Sequence, residues 1–175
     1  MNVLSGPLAI AAVLLVGGGL AKAQAPGNTA RALQAVGLRA SASVVRIGAL
    51  LEVAVGLGAL LAPSPVFIAL VSLSYTAFSV FVVLALRAGT PMSSCGCFGK
   101  VDTPPSRVHI VIDGAVAIAA AVVAVAGTDV SLPTILPEQP LLGIPFSMLV
   151  GIGASLTFLA FTSLPQTLNA ARRPA

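Results

Sequence analysis

The two cysteines of the chain, Cys95 and Cys97, are separated by a single residue. A disulfide between them would close a small, strained ring, and Gly96 lowers the backbone cost of that ring. Strained disulfides have high reduction potentials and exchange readily. The positive charges of Lys100 and Arg107 favour the reactive thiolate form. The pattern therefore predicts thiol–disulfide exchange with a partner protein.

Two other interpretations of the cysteine pair remain open. Two thiolates can capture a soft metal ion such as Cu(I). A closed zinc site cannot be assembled from cysteine and histidine alone, because it needs four ligands and the chain has only two cysteines and one histidine. The pair can also be a chemically inert part of a glycine-rich turn.

Four ionisable residues lie in or beside apolar runs: Lys22, Glu52, His109 and Asp113. Ionisable groups at membrane depth are costly and usually face the interior of a helix bundle. His109 and Asp113 are four residues apart and share a helix face. Glu52 and Asp113 each follow an arginine by six residues, which places both about 9 Å beyond that arginine. We expect the four to converge beneath the cysteines, either as ion pairs that fix helix packing or as groups that tune protons.

The scaffold that positions these residues is predicted from composition and apolar runs. The 175 residues are 57% hydrophobic and 8% charged, whereas a soluble domain carries about 25% charged residues. Membrane helices need about 20 apolar residues each. The five runs of that kind are Val3–Leu20, Val44–Leu61, Val66–Leu86, Val108–Ala126 and Leu141–Leu164. The fold class is therefore an all-α polytopic membrane helix bundle, with the lipid bilayer as its surroundings.

The nine Lys and Arg residues predict how the bundle is oriented. They are spread singly, without aromatic interleaving, so nucleic acid is not an expected partner. With five spans, all nine fall on one side, and the positive-inside rule places the C-terminus and the cysteines in the cytoplasm and the N-terminus outside. We expect a multi-pass protein of the plasma membrane.

One alternative would reverse this orientation. Residues 21–25 contain an A-x-A pattern like a signal-peptide cleavage site. Cleavage of the first run would flip every later span. The absence of basic residues before that run speaks against cleavage.

Two of the predicted helices carry polar or small residues on one side. In the third run these residues recur every three or four positions: Ser72, Tyr75, Thr76 and Ser79. We expect them to face other helices and to form interhelical hydrogen bonds. In the fifth run small residues recur every four positions: Ser147, Gly151 and Ser155. Since small residues permit close approach, this face is expected to dock on the bundle or to form a dimer seam.

The segment Cys95-Gly96-Cys97-Phe98-Gly99 resembles the signature of the MauE family, which is named for methylamine utilisation and is similar to DoxX-like four-helix membrane proteins. Leu20-Ala21-Lys22 and Leu51-Glu52 also match its pattern. The family often has an asparagine near the start of the fourth helix, where Asp113 lies here. The resemblance covers about residues 8–126. It implies a four-helix domain over residues 1–127. Beyond the resemblance, the sequence of residues 128–175 predicts a Pro-rich loop, a fifth membrane helix and a basic tail.

The resemblance implies an accessory protein for the maturation of methylamine dehydrogenase, whose small subunit is rich in disulfides. Cys95 and Cys97 would then be the redox pair, and the four ionisable residues would tune protons or structure. The expected partners are a thioredoxin-like protein or an amine dehydrogenase subunit. No cofactor is evident; a quinone or a partner would be needed to relay electrons across the membrane, but no quinone motif supports one.

Alternatives from other functional classes are a non-enzymatic scaffold or transport subunit and a small-molecule permease. The apolar outer halves of the predicted helices speak against a permease. A conflict also remains within the main hypothesis. Maturation of an exported enzyme favours cysteines outside the cell, whereas the charge distribution places them inside.

Overall fold

The computed structural model describes residues 4–89, 105–126 and 140–171, and within them the regular secondary structure is helical. The six helices are α1 (Ser5–Gln24), α2 (Pro26–Ala35), α3 (Ala42–Leu61), α4 (Pro65–Ala88), α5 (Arg107–Ala126) and α6 (Pro140–Ala171). Five are long and apolar enough to cross a membrane: α1, α3, α4, α5 and the Gly143–Ser163 part of α6. The prediction of an all-α bundle with five spans is confirmed.

Helix α2 was not predicted, because its polar residues are typical of a loop that connects two membrane helices. Pro26 begins it, at a position where the missing amide proton costs nothing. Ala30 and Ala32 are buried, while Arg31 is exposed and donates to the Asn28 side chain at 2.6 Å. Helix α2 packs against α1 and α3, so it is a short amphipathic helix at one end of the bundle.

Local signals define where the spanning helices begin and end. The hydroxyl of Ser41 accepts a hydrogen bond from the Val44 amide at the start of α3. Ser64 caps α4 in the same way, followed by a proline at the first helical position. Gly89 follows α4 with φ of +63°, the left-handed conformation that commonly ends a helix at glycine.

Helices α1 and α3 pack closely through two glycines. A Cβ atom on Gly19 would lie 2.7 Å from the Ala49 carbonyl oxygen, and one on Gly56 would lie 2.8 Å from the Ala12 carbonyl oxygen. These pairs also show that α1 and α3 run antiparallel. Helix α1 further contacts α2, α4, α5 and α6, so it lies at the centre of the bundle.

The polar stripe of α4 forms the expected interhelical hydrogen bonds at two of its residues. The Ser72 hydroxyl donates to the Ala117 carbonyl of α5, and the Tyr75 hydroxyl donates to the Ala11 carbonyl of α1, both at 2.8 Å. Thr76 instead is exposed and donates to the Ser72 carbonyl within its own helix.

The prediction that α6 docks on the bundle through the face of Ser147, Gly151 and Ser155 is wrong. Gly151 and Ser155 are exposed, and the Ser155 hydroxyl donates to the Gly151 carbonyl of its own turn. The helix buries Ala154 and Phe161 instead, and it approaches Ile10 of α1 at Gly153. Helix α6 therefore uses a different face, and the dimer seam stays a prediction. The division of the chain at residue 127 also stays a prediction.

The outer surface is apolar, as a bilayer requires. Large aliphatic side chains such as Val111, Ile118 and Leu149 are about two-thirds exposed. The core between the helices is built from Leu15, Ile68 and other apolar side chains. A chain with this distribution is a multi-pass membrane protein.

The positive charges of the described residues lie at one end of the bundle, which we name the cation end. Helices α1 and α4 finish there, and α3 and α5 begin there. The described cations at this end are Lys22, Arg31, Arg39, Arg46, Arg87 and Arg107. The remaining three, Lys100, Arg172 and Arg173, lie outside the described residues.

Candidate functional site

The four ionisable residues that the sequence singled out surround one cavity near the cation end. Lys22 from α1, Glu52 from α3, and His109 and Asp113 from α5 line a space of about 30 Å³. This volume accommodates one or two water molecules, and its polar lining offers them partners. The structure brings the four residues together as expected, while their position beneath the cysteines and their chemical roles stay predictions.

Lys22 and Glu52 form an ion pair that joins α1 to α3. The Lys22 Nζ atom lies 2.5 Å from Glu52 Oε2, and the two side chains are 6% and 18% exposed. The same ammonium group lies 4.3 Å from the centre of the Phe78 ring, which adds a cation–π contact to α4. Three spanning helices are thus tied together at one buried cation.

His109 is held in place from two sides. Its Nδ1 atom is 2.8 Å from the Ser106 hydroxyl, which lies just before α5. Its ring packs against Phe161 of α6, with the ring centres 5.2 Å apart. The residue is 2% exposed, so the first turn of α5 presents a fixed imidazole to the cavity.

Asp113 lies one helical turn beyond His109 and is 4% exposed. Tyr75 also lines the cavity, but its hydroxyl is used by the hydrogen bond to α1. Its ring meets Phe78 edge-on, with centres 5.7 Å apart. The cavity therefore combines two carboxylates, an ammonium group and an imidazole inside an aromatic wall, a set of groups that can bind water and exchange protons.

A second and larger cavity shares the ion pair. It has a volume of about 290 Å³ and lies between α2, α3 and α4. Lys22 and Glu52 line both cavities. The ion pair therefore contacts both a small cavity inside the bundle, which holds the four ionisable side chains, and a larger, mostly apolar pocket at its side.

Sequence analysis missed three residues of the site: Ser106, Phe78 and Phe161. Ser106 precedes His109 by three residues at the start of a helix, a spacing that favours a local side-chain contact and was available as a signal. The two phenylalanines look like ordinary apolar positions in long apolar helices. Only the packing of α4 and α6 shows that their rings contact Lys22 and His109.

The predicted redox residues Cys95 and Cys97 lie outside the described residues. They belong to the segment that joins the end of α4 to the start of α5, and both of these helix ends are at the cation end. Within the three described ranges, no group of three or more His, Cys, Asp or Glu side chains is arranged to hold a metal ion.

Comparison with known proteins identifies one matching family. Residues 2–127, more than half of the chain, match the model of a family described as methylamine utilisation protein MauE. The match ends one residue after α5, so α6 lies beyond it. No curated protein and no solved structure matches the chain.

Proposed function

The chain belongs to the MauE family, and on that premise we propose that it is a membrane accessory protein that supports thiol–disulfide exchange during the maturation of a partner enzyme. The family is named for methylamine utilisation, so an amine dehydrogenase subunit rich in disulfides is the partner that fits best. A thioredoxin-like protein is the second expected partner. Cys95 and Cys97 form the exchanging pair.

The observation that supports this proposal most is the position of the polar cluster. Lys22, Glu52, His109 and Asp113 surround a cavity at the cation end, and the segment with the cysteines joins two helices at that same end. In each exchange one S–S bond breaks as another forms, and two electrons and two protons pass between the pair and the partner. The cluster would supply or accept protons close to these thiols.

Alkylation of the full chain in membranes tests the exchange chemistry. We expect a thiol-reactive polymer to label Cys95 and Cys97 fully only after reduction, because the pair cycles through a disulfide. The Cys95→Ser variant is expected to trap its partner as a mixed disulfide that reductant releases. Disulfide formation in the partner is expected to fall to background in the Cys95→Ser/Cys97→Ser variant.

Two outcomes would contradict the proposal. Equal labelling with and without reductant would show that no disulfide forms. Full partner maturation in the double serine variant would favour the alternative of a non-enzymatic scaffold or transport subunit. Co-purification of a partner with both wild type and double variant fits that alternative as well, so covalent capture is the deciding result.

The orientation in the membrane is also a proposal. We infer that the cation end faces the cytoplasm, because the six described cations lie there and positive charges are retained inside. The N-terminus is then outside, the C-terminus is cytoplasmic, and the membrane is the plasma membrane. Electrons would be exchanged on the inner side, with a thioredoxin-like protein as the direct partner of the pair. An exported dehydrogenase subunit would then need a further relay across the membrane.

Labelling of intact cells with an impermeant maleimide tests the orientation. After treatment with a permeant reductant, Cys95 and Cys97 are expected to stay unlabelled until the cells are permeabilised. The control is Ala62→Cys in a chain without other cysteines, since Ala62 is exposed at the opposite end of the bundle. Immediate labelling of Cys95 and Cys97, with protection of the control, would reverse the orientation.

A further inference from the structure

The large pocket beside the ion pair has the shape of a ligand site. Its volume of about 290 Å³ lies near the lower end of the range for small-molecule pockets, which is about 300–1,000 Å³. Gly48 of α3 and Ala77 of α4 lie on opposite walls and leave space between them, because they carry no side chain or only a methyl group. The rings of Phe78 and Phe81 form an aromatic side of the pocket. Such walls suit a flat apolar body.

The polar end of the pocket restricts the chemistry of its ligand. Lys22 and Glu52 are the charged residues among the described residues that line it, and they neutralise each other at 2.5 Å. Arg46, nearby on α3, is exposed and does not line the pocket. A phosphate or carboxylate would need a cation that is not already paired, so an uncharged head group fits better.

The ion pair presents a hydrogen-bond donor and an acceptor side by side. The ammonium group can donate to a carbonyl oxygen, and the carboxylate can accept from a hydroxyl group. We propose that the pocket binds an uncharged lipid-phase molecule whose flat ring carries carbonyl or hydroxyl groups, the quinone and quinol class. Lys22 contacts the carbonyl form and Glu52 contacts the hydroxyl form, while α2 covers the ring from the cation end.

Binding of a decyl-tailed benzoquinone to the full chain in zwitterionic lipid nanodiscs tests this site. We expect saturable binding to wild type and a loss of affinity of about tenfold or more in Gly48→Leu, whose side chain would occupy the pocket. A Cβ on Gly48 meets nothing within 4 Å, so this variant adds volume without a clash near its backbone.

Gly114→Leu is the matched control, because a Cβ there also meets nothing within 4 Å and Gly114 does not line the pocket. Its affinity is expected to equal that of wild type. Ala77→Leu, on the opposite wall, replaces Gly48→Leu if that variant does not fold. The Cys95→Ser/Cys97→Ser variant is expected to bind like wild type, so the site is tested separately from the exchange function.

Three results would overturn the inference. They are a lack of saturable binding to wild type, equal affinity in the wall variants and wild type, and equal competition by decane or a phospholipid. The last result would show a general lipid groove without recognition of the head group.

Discussion

Replacing Lys22 by methionine is expected to lower the free energy of unfolding by about 3–5 kcal/mol, the usual loss when one member of a buried ion pair is removed. The substitution keeps a long side chain of similar shape but leaves the Glu52 carboxylate without its cation. It also removes the cation–π contact with Phe78. Denaturation of the purified protein in mixed micelles, followed by the loss of helical circular dichroism, measures the change.

The double variant Lys22→Met/Glu52→Met distinguishes a lost charge pair from lost packing. Two methionines leave no buried charge, so we expect the double variant to recover to within about 1 kcal/mol of wild type, the scale of single polar contacts between membrane helices. Glu52→Met alone is expected to be as unstable as Lys22→Met. If the two single effects simply add in the double variant, the two residues do not stabilise each other.

The spans and the convergence of the polar residues were predictable because the bilayer determines both. Its thickness demands apolar runs of about 20 residues, and its interior makes it costly for Glu52 and Asp113 to face lipid. The two acids therefore had to face inward. With alternating helix directions, their distances from Arg46 and Arg107 placed them at the same depth.

The parts that could not be predicted depend on which faces meet. Helix α2 is too short and too polar to register as a span, and its buried side chains are mainly alanines. The spacing of Ser147, Gly151 and Ser155 favoured one face of α6 for docking, but small residues also occur on the face that packs against α1. Gly153 approaches α1 while Gly151 does not, a difference that depends on the position of Ile10.

The contact of one ion pair with two cavities also could not be predicted from the sequence. An acid and a base in separate apolar runs predict a pair, but they do not predict that α2 encloses space on the other side of it. That space lies beside the end of α1, where Thr29 and Leu33 of α2 line it together with Val44 of α3 and Phe81 of α4. The position of α1 along α3 therefore determines both the ion pair and the pocket.

Gly19→Ala is expected to destabilise the bundle by about 1–3 kcal/mol, because its new methyl group has no space between α1 and α3. The Cβ atom would lie 2.7 Å from the Ala49 carbonyl oxygen and 2.8 Å from a methyl carbon of Val53. Backbone atoms cannot rotate away, so the helices must separate. Unfolding in mixed micelles measures the loss, and it exceeds the gain in helix propensity of up to about 1 kcal/mol that alanine brings.

Gly17→Ala on the same helix is the matched control, since its Cβ meets nothing within 4 Å. It is expected to leave stability unchanged or to raise it by up to about 1 kcal/mol. Gly56→Ala, which would contact the Ala12 carbonyl oxygen at 2.8 Å, is expected to behave like Gly19→Ala. Because the ion pair bridges the same two helices, separation at Gly19 is expected to weaken the coupling between Lys22 and Glu52 as well. Equal stability of the Gly17 and Gly19 variants would contradict the close α1–α3 packing on which the ion pair and both cavities depend.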